Sequence, residues 1–421
     1  MTVADIVRTL VDGELPLRVT AYDGSALGPR DARLALHVAS ERGLAYVLTA
    51  PGDLGLARAY VSGELVVEGV HPGDPYELLR TLKELRLRRP TPAEAARLVR
   101  GLGWRGLRPP EPPREEALPR WRRTVDGLRH SRRRDATAIR HHYDVSNAFY
   151  EKVLGPSMTY TCAVYRDASD TLEQAQAAKY ELVANKLALR PGMRLLDVGC
   201  GWGGMVRHAA REHGVRVLGV TLSRQQATWA QEAIKREGLD DLAEVRHLDY
   251  RDVPTDEPFD AISSIGLTEH IGVHNYPAYF GRLRALLVPG GRLLNHCITR
   301  ADNRASHRPG AFIDRYVFPD GELASPGRLV AEAHDAGLEV QHDENLRQHY
   351  ALTLAAWCRN LVDRWDECVA EVGEARARVW GLYMAGSRLS FERNGLQLHQ
   401  VLCTRTEAGA PAFPLRPDWT P

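Results

Sequence analysis

The chain has 421 residues, which exceeds one ordinary domain and fits two. Hydrophobic residues make up 44% and charged residues 26%, so the composition excludes a disordered or collagen-like chain. No run of about 18 apolar residues predicts a membrane-spanning helix, and the N-terminus lacks the apolar segment of a secretory signal. Six scattered cysteines without C-x-x-C pairs favour reduced thiols over a disulfide framework or a structural metal site. We therefore expect a soluble cytoplasmic protein of two parts.

The first part of the chain mixes short apolar runs with helical spacing. Apolar positions between Tyr76 and Leu85 recur near helical spacing and predict an amphipathic helix. The segment RPPEPPREE, residues 108–116, follows it. It predicts a stiff spacer, because a proline-dense segment cannot sustain a helix.

A basic band overlaps this spacer in an otherwise acidic chain. The stretch from Arg80 to Arg134 holds 17 Lys and Arg against six acids, so a net charge of +1 leaves −10 on the remainder. Such a band is typical of proteins that bind lipid headgroups or nucleic acid, but a solvated arginine-rich linker has the same composition. The residues predicted to contact a membrane are Arg122, Arg123, Arg129, Arg132, Arg133 and Arg134.

From about Ala136 the pattern becomes an alternation of strands and helices. The spacing Asp170-x-x-Glu173 resembles a capping box and predicts the start of a helix. Buried strands are predicted at residues 193–199, 216–222, 243–249, 259–265 and 291–299. Alternation of this kind implies parallel pairing in a doubly wound α/β sheet, with ligands at the carboxyl ends of its strands.

The most specific local pattern is LLDVGCGWGG at residues 195–204. A buried strand enters a loop containing Gly199, Gly201 and Gly203, and a helix follows at once, so the backbone can approach a ligand closely. The spacing differs from the G-x-G-x-x-G of dinucleotide-binding proteins. It resembles motif I of the Rossmann-like, class I methyltransferases that use S-adenosylmethionine (SAM). In that class the first glycines lie beneath the amino-acid part of SAM.

The second strand lacks the acidic residue that this class commonly uses to bind the ribose. It ends at Thr221 and Leu222, and Gln226 follows in the next helix as a substitute ribose ligand. Ser223 and Gln226 also have the spacing of a plain capping box, which is compatible with ligand contact. The predicted SAM contacts are Tyr160, Thr161, Gly199, Gly201, Gly203, Thr221, Leu222, Gln226, Asp249 and Tyr250, the last two where the class holds adenine.

Further motifs accompany the glycine loop in a fixed order. They are residues 142–147 with 158–163, then 266–272, 294–298 and 349–354. Together they resemble the cyclopropane-fatty-acyl-phospholipid synthase family, which includes the mycolic acid cyclopropane synthases. Residues 52–64 resemble the N-terminal domain of the members that act on phospholipids. The resemblance implies a lipid-associated domain at 1–107, a linker at 108–135, a SAM-dependent methyltransferase domain at 136–410 and a tail at 411–421.

The resemblance also implies a catalytic base. In this family a bound bicarbonate is thought to remove a proton after methyl transfer to a cis double bond. The residues that match its site are Cys162, Glu269, His296, Ile298 and Tyr350. Taken singly, a strand histidine or a cysteine such as Cys162 is more often a buried core residue.

Three positions depart from the family pattern. Thr268 replaces an aromatic residue, Val164 a tyrosine and Cys297 a threonine. These residues are expected to surround the cation, and the pattern resembles an actinobacterial subgroup that forms 10-methylene acyl chains on the route to 10-methylstearic (tuberculostearic) acid. That subgroup works beside a flavin-dependent reductase that uses NADPH. A cyclopropane product is the alternative.

Two other functions use the same features differently. An RNA methyltransferase would place the basic band on phosphates, but the band lacks interleaved aromatic residues and no N-P-P-Y motif follows the fourth strand. A non-catalytic lipid-binding protein would tolerate decay of the glycine loop, which is intact. We therefore expect a homo-oligomeric enzyme without nucleic acid, peripheral on the inner face of the cell membrane, that acts on oleoyl phospholipids.

Overall fold

The computed structural model describes residues 1–50, 52–106, 108–116, 146–303, 310–407, 409 and 413–419. Contacts group the described residues into two units. The first unit comprises Met1–Pro119, Gly310–Pro319 and Leu354–Leu389, and the second comprises Arg120–Pro309, Asp320–Thr353 and Ser390–Pro421. The domain boundaries predicted from the sequence stay a prediction, but two segments from the later half of the chain group with the N-terminal residues. No helix of the described ranges is long and apolar enough to cross a membrane.

Helices and strands are numbered here in chain order. The α-helices are α1 (Val3–Leu10), α2 (Glu41–Thr49), α3 (Asp53–Val61), α4 (Tyr76–Glu84), α5 (Pro92–Gly106), α6 (Asn147–Leu154), α7 (Leu172–Leu187), α8 (Gly204–His213), α9 (Arg224–Arg236), α10 (Thr268–Ile271), α11 (Tyr276–Leu286), α12 (Ala311–Tyr316), α13 (Pro326–Asp335), α14 (Arg347–Asp363), α15 (Trp365–Val372) and α16 (Glu374–Glu392). The strands are β1 (Val11–Asp12), β2 (Arg18–Ala21), β3 (Ala26–Leu27), β4 (Ala35–Val38), β5 (Leu65–Glu68), β6 (Arg86–Leu87), β7 (Arg194–Val198), β8 (Arg216–Thr221), β9 (Ala243–His247), β10 (Phe259–Ile265), β11 (Leu287–Arg300), β12 (Glu339–Asn345) and β13 (Leu396–Thr404).

The second unit is built on a seven-stranded sheet of order β12-β13-β11-β10-β7-β8-β9. Strands β7 to β11 are parallel to their neighbours in this set, and only β13 runs antiparallel to the strands beside it. The predicted doubly wound, mostly parallel sheet is confirmed, and its five predicted strands are β7 to β11. The order reverses between β7 and β10, which is where such sheets bind ligands.

Apolar side chains cover both faces of this sheet. Along β11, Leu294 belongs to the cluster that packs against α7 and α8. Leu293 and Cys297 belong to the cluster on the other face, beneath α11 and α13. Alternate residues of a strand point to opposite faces, so the register of β11 decides which polar residues meet at the site. Burying each leucine contributes about 1.5–3 kcal/mol.

The start of α7 differs by one residue from the predicted capping box. Thr171 is the N-cap, its hydroxyl accepts from the Gln174 amide, and the Gln174 side chain accepts from the Thr171 amide. The Asp170 carboxylate instead accepts from the amide of Arg166 at 2.9 Å. The predicted pair Asp170 and Glu173 was therefore wrong, because the preceding turn uses Asp170.

The first unit contains a four-stranded sheet of order β3-β2-β4-β5. The proline-dense segment of the first unit, residues 108–116, ends in a buried cluster of ion pairs. Arg58 donates to both oxygens of Glu116 at 2.6 and 2.8 Å, and Arg315 donates at 2.5 Å. The Glu116 side chain is fully buried, and both arginines are about nine-tenths buried. Glu116 therefore fixes this segment to α3 and α12.

We expect the substitution Glu116→Ala to lower the free energy of unfolding by about 3–5 kcal/mol, because it leaves two buried guanidinium groups without their carboxylate. Chemical denaturation followed by circular dichroism measures the loss. Glu111→Ala is the matched control, since that side chain is exposed and the variant keeps the main-chain oxygen of Glu111, which accepts from Tyr46. Equal losses in both variants would contradict the assignment.

Candidate active site

The glycine loop lies between β7 and α8 at the carboxyl edge of the sheet. Gly199 has φ +73° and its amide donates to the Val220 oxygen at 2.9 Å. A Cβ atom at Gly199 would lie 3.2 Å from the Leu267 side chain. Gly201 has φ +55°, and nothing lies within 4 Å of the position of its missing Cβ. The loop therefore has the tight turn and the open side that approach to a ligand requires.

The helix that follows β8 presents the side-chain amide of Gln226 at the same edge of the sheet. The Thr221 hydroxyl donates to Gln226 Oε1 at 3.0 Å, and Ser223 caps α9 by accepting from the Gln226 amide. One of the two hydrogen bonds of the predicted capping box is confirmed, namely the bond from the Gln226 amide to the Ser223 hydroxyl. Gln226 Nε2 is buried and has no hydrogen-bond partner in the described structure. Because its oxygen is held by Thr221, the free N–H groups suit a ribose oxygen, so the residues fit SAM.

The residues after β9 are arranged by local contacts. The Asp249 carboxylate accepts from the Arg251 amide at 2.9 Å and from its guanidinium at 2.8 and 2.6 Å. The Tyr250 ring meets Tyr279 edge-on, with ring centres 5.5 Å apart. Asp249 thus positions the turn that carries Tyr250, and the adenine contact of these two residues stays a prediction.

The segment that carries Tyr160, Thr161 and Cys162 is fastened to α7. Gln176 Nε2 donates to the Thr161 carbonyl at 2.9 Å, and Lys179 Nζ donates to the Thr161 hydroxyl at 3.1 Å. Burial lowers the pKa of Lys179 to about 7. The Cys162 thiol donates to the carbonyl oxygens of Ala163 and Leu346 and also interacts with Thr353, and burial raises its pKa, which argues against a nucleophilic thiolate.

Glu269 lies in the single turn of α10, directly after β10. Its Oε1 accepts from the Ile298 amide at 2.7 Å, whereas its Oε2 is buried and has no hydrogen-bond partner in the described structure. Burial raises the pKa of Glu269 to about 7. The Ile298 amide therefore donates to the Glu269 carboxylate, whereas the family resemblance implied that Ile298 contacts bicarbonate.

His296 lies on the neighbouring strand. Parallel pairing places His296 beside Ile265 at the end of β10. Gln400 on β13 contacts His296 Nδ1 at 3.1 Å, and His296 Nε2 is buried without a hydrogen-bond partner among the described residues. Burial, together with Lys179 and Lys186, lowers the pKa of His296 well below its ordinary value, so the ring is neutral.

Tyr350 is positioned by the first turns of α14, which also hold the Cys162 segment. Thr353 accepts from the Ala163 amide at 3.0 Å, and Leu346 accepts from the Cys162 thiol at 3.8 Å. The Tyr350 ring packs against Phe391 with centres 4.6 Å apart. The fold thus couples Cys162 to the helix of Tyr350 and couples Glu269 to Ile298.

Two of the three departures, Thr268 and Cys297, are linked through Asn295. The Thr268 hydroxyl donates to Asn295 Oδ1 at 2.6 Å, and the Asn295 amide group donates to Cys297 Sγ at 3.4 Å. Asn295 and Cys297 alternate with His296 along β11, and Cys297 packs in the apolar cluster of the opposite face. The expectation that Thr268 and Cys297 surround the cation stays a prediction, and Cys297 interacts electrostatically with Glu269. Val164 is buried after the Cys162 segment.

Sequence reasoning missed three polar residues of α7. Gln176, Lys179 and Lys186 are all at most 1% exposed. They share a helical stripe with the buried apolar residues Leu172 and Val183. A lysine on an apolar stripe was the available signal, since buried lysines are rare unless paired.

Other predicted features fall outside this site. Arg122, Arg123, Arg129, Arg132, Arg133 and Arg134 lie outside the described residues. Of the described chain, one group has metal-ligand atoms within 4.8 Å of one another, namely Glu181, His208 and His213. The imidazole nitrogens lie 3.3 and 3.1 Å from Glu181 Oε2, so carboxylate–imidazole hydrogen bonds account for it.

Comparisons with known proteins show which family and which solved structures this chain resembles. The family described as mycolic acid cyclopropane synthetase matches residues 130–401. The probable fatty acid methyltransferase Rv3720 of Mycobacterium tuberculosis is 62% identical over 97% of this chain and 96% of its own. Cyclopropane-fatty-acyl-phospholipid synthase of Escherichia coli is 36% identical over 65% of this chain and 69% of its own. The mycolic acid cyclopropane synthase CmaA1, solved with SAH and CTAB, is 32% identical with a TM-score of 0.59, covering 64% of this chain and 98% of that one.

The fold and the glycine loop define a class I SAM-dependent methyltransferase, and the predicted fold class and enzyme class are confirmed. The chain belongs to the mycolic acid cyclopropane synthetase family, as the resemblance of its motifs predicted.

We expect Gly199→Ala to weaken SAM binding about tenfold or more, because a side chain at φ +73° costs about 1–2 kcal/mol and its Cβ meets Leu267. Isothermal titration with SAM measures the affinity. Gly192→Ala is the matched control, since its φ is +84° and nothing lies within 4 Å of its Cβ position. Unchanged affinity in Gly199→Ala would remove this loop from the cofactor site.

Proposed function

We propose that the protein transfers the SAM methyl group to the cis double bond of an unsaturated acyl chain in a phospholipid. Its relatives carry the names fatty acid methyltransferase and cyclopropane-fatty-acyl-phospholipid synthase, which support a lipid substrate. The observation that carries the proposal is a pair of buried atoms without partners in the described structure, Glu269 Oε2 just after β10 and His296 Nε2 on the adjacent strand β11. Buried polar atoms normally have partners, so this pair favours a small polar ligand.

The reaction needs a base but no nucleophilic side chain. Bound SAM supplies an electrophilic methyl group on a sulfonium. The alkene π pair forms the new C–C bond, the C–S pair stays on sulfur, and a carbocation results. A proton must then leave the added methyl carbon, and water must be excluded meanwhile. Buried Glu269 and neutral His296 suit that second step.

A bicarbonate ion would bind to these two atoms. Nε2–H of a neutral His296 can donate to one of its oxygens, and its hydroxyl can donate to Glu269 Oε2. The Ile298 amide fixes the carboxylate from the other side at 2.7 Å. These residues would therefore orient a small acid–base ion beside the departing proton.

For the product we propose the 10-methylene chain, in which a hydride shift precedes loss of the methyl proton. Support comes from the departures at Val164, Thr268 and Cys297, which resemble the methylene-forming subgroup. Thr268 and Cys297 would act through Asn295, which is hydrogen-bonded to both, and Cys297 packs on the face away from His296. Loss of the same proton with ring closure would give cyclopropane, and a methylene product would require a separate flavin-dependent reductase for saturation.

The proposed enzyme works at a membrane surface. The basic stretch from Arg80 to Arg134 supports peripheral docking on anionic phospholipid, because each lysine or arginine held near such a surface contributes about 1 kcal/mol. Cytoplasmic location at the inner face of the membrane and homo-oligomeric assembly complete the proposal.

Turnover should depend on the ionisation of Glu269. Because burial raises its pKa to about 7, the group is protonated below that pH and a carboxylate above it. We expect kcat/KM to rise with pH through about 7, and Glu269→Gln to lose this limb with a fall in kcat of about 10²- to 10⁴-fold. Stopped-time assays measure kcat/KM, and SAM titration should give near wild-type affinity. A large loss of SAM affinity would instead place Glu269 in the cofactor site.

The product assay tests the proposal directly. Protein, SAM, bicarbonate and vesicles of an oleoyl anionic phospholipid are incubated, and the released acyl chains are examined by proton NMR, since the two products have equal mass. Vinylic exomethylene signals are expected. Upfield ring-proton signals would establish the cyclopropane alternative. Absence of a new carbon with every cis-unsaturated lipid would overturn the lipid assignment.

A further inference from the structure

A chain of buried side chains lies behind His296. Lys186 Nζ donates to Gln400 Oε1 at 2.7 Å, and Gln400 Nε2 lies 3.1 Å from His296 Nδ1. Lys186, Gln400 and His296 are each at most 1% exposed. Lys186 also forms an ion pair with Glu344, whose side chain is partly exposed. The chain therefore runs from the edge of the sheet at β12, through α7 and β13, to the imidazole on β11.

The order of donors in this chain permits one arrangement. A lysine ammonium only donates hydrogen bonds, so it must face the oxygen of the Gln400 amide and not its nitrogen. The amide nitrogen then faces His296, and since it too only donates, Nδ1 of His296 must accept. A neutral imidazole that accepts at Nδ1 carries its proton on Nε2. Turning the amide over would oppose two donors at Lys186.

Lys186 is suited to this task because it is held from both sides. Burial lowers its pKa, and the charge and hydrogen bond of Glu344 oppose that effect and favour the ammonium. Lys186 and Lys179 are also the charged groups that, with burial, lower the pKa of His296. Burial is the main cause of the neutral ring, and the lysine that orients the amide adds to that effect.

We propose that Gln400, oriented by Lys186, is a positioning residue that fixes His296 as the neutral tautomer with its proton on Nε2. The unpartnered Nε2 then enters the site as a hydrogen-bond donor and requires an acceptor there, as an oxyanion provides. This inference rests on the proposed function for what the donor binds. The tautomer itself depends only on the described contacts.

Gln400→Glu tests the tautomer. A carboxylate at this position still pairs with Lys186 but accepts at both ends, so it draws the proton of His296 to Nδ1. Long-range ¹⁵N–¹H NMR of histidine-labelled protein without substrate distinguishes the forms, and a His296→Gln spectrum assigns the signals. We expect a pyrrole-type Nε2 and a pyridine-type Nδ1 in the wild type, and a pyrrole-type Nδ1 in Gln400→Glu. Gln397→Glu on the same strand is the matched control and should leave the His296 signals unchanged.

Turnover provides the second readout. With full-length protein, SAM and oleoyl phospholipid vesicles, we expect Gln400→Glu to lower kcat/KM for bicarbonate about 10- to 100-fold, with SAM affinity unchanged. Lys186→Met is the alternative variant if Gln400→Glu does not fold, because Glu344 can turn to solvent when the lysine is absent. It should leave His296 with both tautomers.

The outcomes separate the two proposals. A pyridine-type Nε2 in the wild type, or an unchanged tautomer in Gln400→Glu, would overturn the positioning role whatever the reaction is. The expected tautomer shift with no turnover of any unsaturated lipid by the wild type would leave the positioning role standing and reject the proposed substrate.

Discussion

Two lysine side chains of α7 are withdrawn from water, and the arrangement of the site follows from how they are satisfied. An ammonium group is buried only at high cost unless it meets acceptors. Lys179 meets the Thr161 hydroxyl and the face of Tyr180, and Lys186 meets Glu344 and Gln400. One helix thereby fixes both the segment before Cys162 and the strand beside His296. The buried lysines favour this arrangement of loop and sheet, because another would leave their Nζ atoms without these contacts.

The parallel register of β10 and β11 is the second constraint. It brings Glu269, which follows β10, to the Ile298 amide of β11. The same register sends His296 and Cys297 to opposite faces, so a polar cluster of Thr268, Asn295 and Cys297 lies behind the strand that carries the site. Substitutions there can affect the site through the strand, and Cys297 also interacts electrostatically with Glu269. That placement separates residues adjacent in sequence by the full thickness of the sheet.

The sequence predicts features that local physics determines. The strands β7 to β11 and the glycine loop follow from hydrophobic runs and from the backbone freedom of Gly199 and Gly201. Prediction from the sequence fails for contacts between residues that are far apart along the chain. Lys186 is satisfied by Gln400, 214 positions later, and no local pattern reveals that contact. The wrong prediction of Asp170 as the helix cap has a similar cause over a shorter distance, because its carboxylate accepts a hydrogen bond from the Arg166 amide in the preceding turn.

Three buried groups titrate near neutrality at this edge, and their contacts determine which can accept a proton. Asp197, whose pKa burial raises to about 6, receives a hydrogen bond from Ser263 at 2.7 Å, and Lys179 is bonded to Thr161. Glu269 differs because one oxygen is held by a backbone amide and the other has no partner in the described structure. Burial, together with the nearby lysines, lowers the pKa of His296 well below its ordinary value, so its neutral ring is a weak base. The proton released in the proposed reaction therefore leaves toward Glu269, directly or through an ion that its free oxygen holds.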